Sequence, residues 1–402
     1  MATTVLNSLS TPDEHNSSSG MRRAPTLPAA TSCVLDVVRF CAALLVVLAH
    51  FSHAEFFTGI ATTQILGDIA VPIFFVLSGF VIRYVTLSRE HTLRIFLIDR
   101  ASRIYSVAIP ALLLTLFVTS VAARVAPAYF ALYFADISNH PLIRILLNIT
   151  LLSQSWGHNA VAFCDSPFWS LSYEGLFYIA YGLFFYLRGA KRIFALLGWA
   201  ALAGPQVAFL LPVWWLGCWL YDLFQIIRLT RIATALQVLG GAYLVAGSAL
   251  YFFGLDTLLV GPLRAILAFS QLRNPLLLFH QDPFRATLMA VATGTFAAVV
   301  LLVLLLASDL LTISRANPWI LRFRHIADGT FAIYLMHYPL MVLAACVGLY
   351  HPGVLTRNLG VTAAICILLI LAANPLDALK ELIRKILRTS FPPTFPFPGP
   401  NH

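Results

Sequence analysis

Charge is what this chain has least of. Of its 402 residues 11% are Asp, Glu, Lys or Arg, 59% are hydrophobic, and the mean hydropathy is +0.84. A water-soluble domain carries about 25% charged residues, so a soluble globular fold is excluded and length gives no domain count. Ligand-type cysteine spacing is missing as well. The six cysteines (33, 41, 164, 218, 346 and 366) contain no CxxC pair, and no HExxH motif or Cys/His cluster accompanies His50 and His53. No metal is expected. Five of the cysteines lie in apolar runs and read as small hydrophobes. No internal repeat relates the two halves. A continuous basic face is also lacking: the net charge of +9 is scattered in short groups between apolar runs, so no nucleic-acid partner is expected. The first 30 residues, rich in Ser, Thr, Asn and Pro, lack the compact apolar core of a cleavable signal. FPPTFPFPGPNH closes the chain as a proline-rich tail.

What is present is apolar runs of membrane length. Windows of about 20 apolar residues fall near 33–53, 67–87, 104–124, 166–187, 193–212, 213–228, 233–253, 286–308, 327–350 and 359–378. The predicted fold is all-α, a polytopic transmembrane helix bundle of about ten spans with both termini cytoplasmic. It divides into a disordered tail (1–32), a transmembrane domain (33–379) and a basic, then proline-rich, tail (380–402). Residues 90–103 are expected as a cytoplasmic interfacial helix and 141–155 as a short or re-entrant one. On this topology 19 of the 26 basic residues fall in inner segments, the bias the positive-inside rule requires.

A few ionisable residues interrupt the spans, and each is costly there unless it faces a partner or a watery cavity. Arg39 and His50 lie eleven residues apart in CVLDVVRFCAALLVVLAHFSH. At 3.6 residues per turn that is three turns plus about 20°, so they share one helical face, about 16 Å apart along the axis. Asp36 falls near the same face, where it either joins a site or pairs with Arg39 at the helix end. Arg100 and Arg103 lie three apart before Tyr105; they read as interface anchors or as a phosphate clamp, for which the guanidinium fork is suited. Glu174 sits about two turns into the span that SPFWSLSYEGLFYI opens. Trp169, Tyr173 and Tyr178 fit an aromatic belt. Ser78-Gly79 permits close helix approach. His337 stands near mid-span, as a site residue or as a hydrogen-bond partner of another helix. Asp222 reads as structural.

Five runs in order, LDVVRFCAALLVVLAHF, VPIFFVLSGFVI, RASRIY, FWSLSYEGLFY and AIYLMHYPL, resemble the bacterial membrane acyltransferase type 3 family, which includes O-antigen, exopolysaccharide, Nod-factor and macrolide acyltransferases. They span residues 35 to 340. The resemblance implies O-acyl transfer from cytoplasmic acyl-CoA, acetyl-CoA first, to a hydroxyl on a surface or secreted glycan, a glycolipid or a glycosylated small molecule, in the bacterial cytoplasmic membrane. His50 matches the family's catalytic histidine and Arg39 its essential arginine. Arg100 and Arg103, with Tyr105, match the donor-binding run, and Glu174 the glutamate of the Trp-Ser-Leu-Ser-x-Glu run that includes Trp169 and Ser172. His337 matches the late Tyr-Leu-x-His. Asp36 and Ser78 complete the candidate site, in which Glu174 is expected to share a cavity with His50. Pro72, Ser106, Tyr173 and Asn374-Pro375 depart from the family pattern, which bears on acceptor and acyl chain. The rival reading is a proton- or ion-coupled secondary transporter relaying through His50, Glu174 and His337. A non-catalytic scaffold is the third.

Overall fold

The computed structural model describes residues 27–57, 64–88, 90, 92–134, 140–230, 283–309, 317–351 and 353–392. Among them the chain forms thirteen α-helices: α1 (Ala29–Phe51), α2 (Gln64–Ser88), α3 (Leu93–Val125), α4 (Pro127–Phe134), α5 (Pro141–Ile149), α6 (Trp169–Tyr186), α7 (Gly189–Ala203), α8 (Pro205–Thr230), α9 (Pro283–Asp309), α10 (Pro318–Asp328), α11 (Thr330–Cys346), α12 (Leu355–Leu371) and α13 (Ala373–Ser390). Extended pairing among these residues is confined to one isolated bridge between Ala162 and Asp165. Among the described residues five helices are long and apolar enough to cross a bilayer, seven spans if the bent pairs α10–α11 (41°) and α12–α13 (40°) each count as one. This is an all-helical membrane protein. The expected span at 233–253 lies outside the described residues, as do 1–26 and 393–402.

Three boundaries differ from expectation. Residues 93–103 are continuous with the next span in a single 33-residue helix, α3. The Thr92 side chain caps it by accepting from Ile95 N at 3.3 Å. At 1.5 Å per residue α3 is about 50 Å long, so it projects beyond a hydrocarbon core of about 30 Å and carries Arg100 and Arg103 about two turns in from its start. The fifth and sixth spans divide at Gly204 and not near 212. Gly204 has φ +83°, and a Cβ there would meet Trp156 N at 2.7 Å, whereas Pro212 is accommodated inside α8. Residues 380–390, expected as tail, continue α13, which packs along α3.

Close approach of α2 and α8 sets the centre of the bundle. A Cβ on Gly79 would lie 2.1 Å from Trp214 O, and one on Gly217 2.0 Å from Val76 O. Backbone therefore meets backbone, as small residues allow in membrane packing. Ion pairs cluster at one end of the bundle, which we call the basic end: Arg83–Asp222 and Arg228–Asp309 at 3.0 Å, Arg384–Asp99 at 3.0 Å, and Arg324–Asp36 at 3.7 Å. Asp222 is thus a tie between α2 and α8. The segment 150–168, folded over the other end of α6, buries Ser153, Gln154, Ser155 and Asp165.

Candidate active site

Helices α1 and α11 run in the same direction, and their facing residues order the site. At the basic end a polar cavity of about 240 Å³ is lined by Arg39, Arg100, Arg103, Lys380 and Arg384 against the carboxylates Asp99, Asp328 and Asp377. Arg39, Arg103, Thr330 and Phe331 also line a second, smaller cavity of about 70 Å³. Its remaining wall is mostly apolar, with Ser78, Ser170, Glu174, Tyr178 and Tyr334 as the polar exceptions. Three turns along α1 from Arg39, His50 meets His337.

The histidine pair has a defined polarity. His337 Nδ1 lies 2.7 Å from the Ile333 carbonyl, an acceptor, so Nδ1 of His337 carries the proton and donates. With both rings neutral, its Nε2 holds a lone pair and faces His50 Nδ1 at 3.1 Å. His50 must then donate from Nδ1, which leaves His50 Nε2 as the basic nitrogen. His337 is fully buried and His50 half-buried. Around them His53 and Tyr338 pack edge-on to the His50 ring at 5.2 and 5.1 Å. Tyr338 donates to Glu55 Oε1 at 3.2 Å, and Glu55 Oε2 is 3.9 Å from His53 Nδ1.

Arg39 donates to Asp36 Oδ1 at 3.3 Å, and Arg324 approaches the other Asp36 oxygen. Asp36 is therefore a partner that holds Arg39, which in turn faces both cavities. Arg100 is not an open clamp. It is buried, donates to Glu90 Oε1 at 2.5 Å, and stands over the rings of Phe96 and Tyr178 at 5.8 Å. Burial pushes the Glu90 carboxyl above its usual range, while Arg100 pulls the other way. Arg103 makes no ion pair among the described residues, so of the two arginines it is the one available to an anion.

Glu174 joins Arg39 and Arg103, and not His50. Its Oε1 accepts from Ser78 Oγ at 3.2 Å and from Tyr178 OH. The reason is the depth at which α6 starts. The folded segment 150–168 occupies the end of the bundle, so Ser170 already stands level with Tyr334, one turn short of His337, and Glu174 lies a turn deeper still. Tyr105 also lies away from the cavities, its hydroxyl donating to Ile149 O at 2.7 Å. Ser172 ties the same segment to α6, donating to Leu151 O at 2.6 Å and accepting from Gln154 N at 3.2 Å. Trp169 starts α6 and packs edge-on to Tyr173 at 5.5 Å.

A family model described as "Acyltransferase domain", acyltransferase 3, matches residues 34–373. The chain belongs to the acyltransferase 3 family. The acyltransferase MdmB of Streptomyces mycarofaciens is 30% identical over 182 residues, 43% of this chain and 44% of that protein; the match thus spans less than half of that relative. No solved structure matches. The matched region holds both cavities and the histidine pair except for Leu376, Asp377, Lys380 and Arg384, which α13 adds to the polar cavity from beyond it.

Several members of this acyltransferase-family site were not singled out from sequence: Glu55, Glu90, Asp99, Tyr334, Lys380 and Arg384. Three had a usable signal. Tyr334 precedes His337 by three residues, hence on one helix face, and Lys380 and Arg384 are an i, i+4 pair. Glu90 had none, because nothing local distinguishes a buried loop carboxylate from a solvated one.

Proposed function

We propose that this protein is a membrane O-acyltransferase that takes an acyl group, acetyl first, from cytoplasmic acyl-CoA and passes it to a hydroxyl of a surface or secreted glycan, a glycolipid or a glycosylated small molecule. The site would be the bacterial cytoplasmic membrane, with the basic end toward the cytoplasm. The observation that carries the reading is the order along α1 and α11: a basic cavity, then Arg39 and Arg103, then a small apolar cavity, then a histidine pair.

In that order each group has a task. Arg103 and Arg39, with Lys380 and Arg384, attract the phosphates of the donor. The thioester is already activated, so the enzyme needs a base for the acceptor hydroxyl and charge stabilisation for the tetrahedral oxyanion. His50 Nε2 takes the hydroxyl proton as the oxygen attacks the acyl carbon. The C–S bond then breaks, and the thiolate leaves with the proton that His50 returns. His337 keeps the His50 proton on Nδ1, the tautomer this step needs. The test is transfer of radiolabel from acetyl-CoA by the purified protein in membranes, paired with mass spectrometry of surface glycans and secreted metabolites from a deletion strain. Transport of solute with no CoA-dependent chemistry would favour the transporter instead.

A further inference from the structure

The small cavity ends on Tyr334. The Tyr334 hydroxyl donates to Ser170 Oγ at 2.6 Å, and Ser170 in turn donates to Pro167 O at 3.1 Å. The ring is therefore tied, through α6, to the folded segment 150–168. Phe74 meets it edge-on at 4.9 Å, and Val46 and Ala70 close the remaining sides. Tyr334 and Ser170 are both buried. All of this lies between the two halves of the site. Phe74, Ser170 and Tyr334 line the cavity that holds Glu174, whereas His50 and His337 line neither cavity. Val46 is one turn before His50 on α1, and Tyr334 one turn before His337 on α11. One layer of side chains, about one helical turn thick, separates them.

We propose that Tyr334, latched to Ser170, is the partition between the donor cavity and the histidine pair, and that its ring limits the length of the acyl group transferred. This rests on the acyl-CoA reading above and adds to it. A thioester held in the small cavity has its acyl carbon beneath the ring, screened from water at the histidine end. Transfer requires the Tyr334–Ser170 hydrogen bond to open so that the acyl carbon reaches the hydroxyl activated by His50. The small cavity as a whole has about 70 Å³, against about 240 Å³ for the polar cavity. It holds a short acyl group, and each further methylene must displace the ring. With the latch broken, water takes the acceptor's place: its oxygen bonds to the acyl carbon, the C–S bond breaks, and the thiolate leaves with a proton.

The experiment measures free-thiol release from acetyl-, butanoyl- and hexanoyl-CoA by the full-length purified protein without acceptor. The parent is compared with Tyr334→Phe, Ser170→Ala and Tyr334→Ala, each also in a His50→Ala background and each with a thermal melting point. Tyr334→Phe and Ser170→Ala lose the latch but keep the ring, so acetyl-CoA hydrolysis should rise about 3- to 10-fold, the shift expected from one net hydrogen bond, and should vanish with His50→Ala. Tyr334→Ala should also move the preferred chain from acetyl toward butanoyl or hexanoyl. A merely structural tyrosine would lower every rate together and leave the chain-length order alone. If Tyr334→Ala fails to fold, the other two variants decide the matter. Parent turnover with unchanged hydrolysis in both latch variants overturns the partition alone. No thiol release by the parent, even in membranes containing its acceptor, overturns the acyl-CoA reading and this inference with it.

Discussion

His337 holds His50 through a single hydrogen bond of fixed direction: His50 Nδ1 lies 3.1 Å from His337 Nε2, and His337 Nδ1 is committed to the Ile333 carbonyl 2.7 Å away. The bond matters because it decides which nitrogen of His50 is basic.

On the acyl-transfer reading, His50→Ala should lose most turnover, since a general base is typically worth about 10²–10⁴-fold. His50→Gln should be nearly as inactive. Parent activity should rise with pH as the imidazole loses its proton and then level off. His337 offers the sharper test. His337→Ala should lower kcat, while His337→Gln, whose amide oxygen can accept from His50 Nδ1, should recover a substantial part of it. His53→Ala should be far milder, because His53 packs edge-on against His50 and approaches Glu55 but makes no hydrogen bond to the His50 ring. Equal losses in the Ala and Gln variants at position 337 would dismiss the positioning role.

Arg100 and Arg103 should separate. On the acyl-CoA reading, Arg103→Ala removes from the polar cavity a guanidinium that has no ion-pair partner among the described residues, so it should raise the KM for acyl-CoA by the loss of a charge-assisted contact, on the order of 1.5–3 kcal/mol. Lysine should rescue only partly, lacking the fork. Arg100→Ala instead strands the buried Glu90 carboxylate, and breaking a buried pair from one side costs about 3–5 kcal/mol. Its main effect should be a lower melting temperature, relieved by Glu90→Gln in the same chain. Calorimetry of CoA binding and thermal melts of the four variants check the division. A normal melting temperature with weak CoA binding in Arg100→Ala would return Arg100 to the clamp.

The parts of this site legible in the sequence were those whose burial is costly. An arginine, a glutamate and two histidines inside apolar windows announce themselves because lipid tolerates none of them unpaired, and helical periodicity puts Arg39 and His50 on one face. Partners were not legible. That His50 meets His337 depends on how α1 packs on α11, and that Glu174 meets Ser78 depends on how deep α6 begins, a depth set by the folding of 150–168, which carries no periodic pattern; Tyr178, four residues on in the same helix, was the one partner that periodicity offered. The Arg100–Glu90 pair was hidden because nothing local marks a loop carboxylate as buried. From residue 380 onward α13 reads as a tail, because its charge density resembles a juxtamembrane anchor, yet Lys380 and Arg384 line the polar cavity.

Asp165 should make stability depend on pH. It has no exposed surface, Thr115 donates to its Oδ2 at 3.4 Å, and its Oδ1 has no partner among the described residues. Burial raises its pKa well above the usual carboxyl value. The folded state therefore holds this proton more tightly than the unfolded chain does. Stability from this group is greatest below the ordinary carboxyl pKa and is lost as pH rises from there through the raised value. Asp165→Asn should flatten that decline and raise the melting temperature at neutral pH. A mutant whose pH–stability curve parallels that of the parent would exclude Asp165 as its source.

Glu174 should act on the donor with the sign opposite to Arg103. It shares the small cavity with Arg39 and Arg103, and Ser78 and Tyr178 fix one of its oxygens. In surroundings this apolar, a carboxylate there offsets the field of the two arginines. Glu174→Gln keeps the shape and an acceptor for Ser78 and Tyr178 while removing the charge. On the acyl-CoA reading the cavity becomes more positive, so the phosphate-bearing donor should bind more tightly, its KM falling by about 15-fold for one unit charge felt at around 10 Å with an effective dielectric near 20. Turnover should fall at the same time, because product CoA carries the same phosphates and leaves more slowly. Tyr178→Phe and Ser78→Ala leave the charge and loosen the carboxylate, so they should lower kcat with little change in KM. Steady-state kinetics on the three variants at two salt concentrations separate the cases, since a charge effect shrinks with added salt. A rise in KM for Glu174→Gln would mean that the carboxylate accepts a hydrogen bond from the donor itself and does not merely balance the arginines.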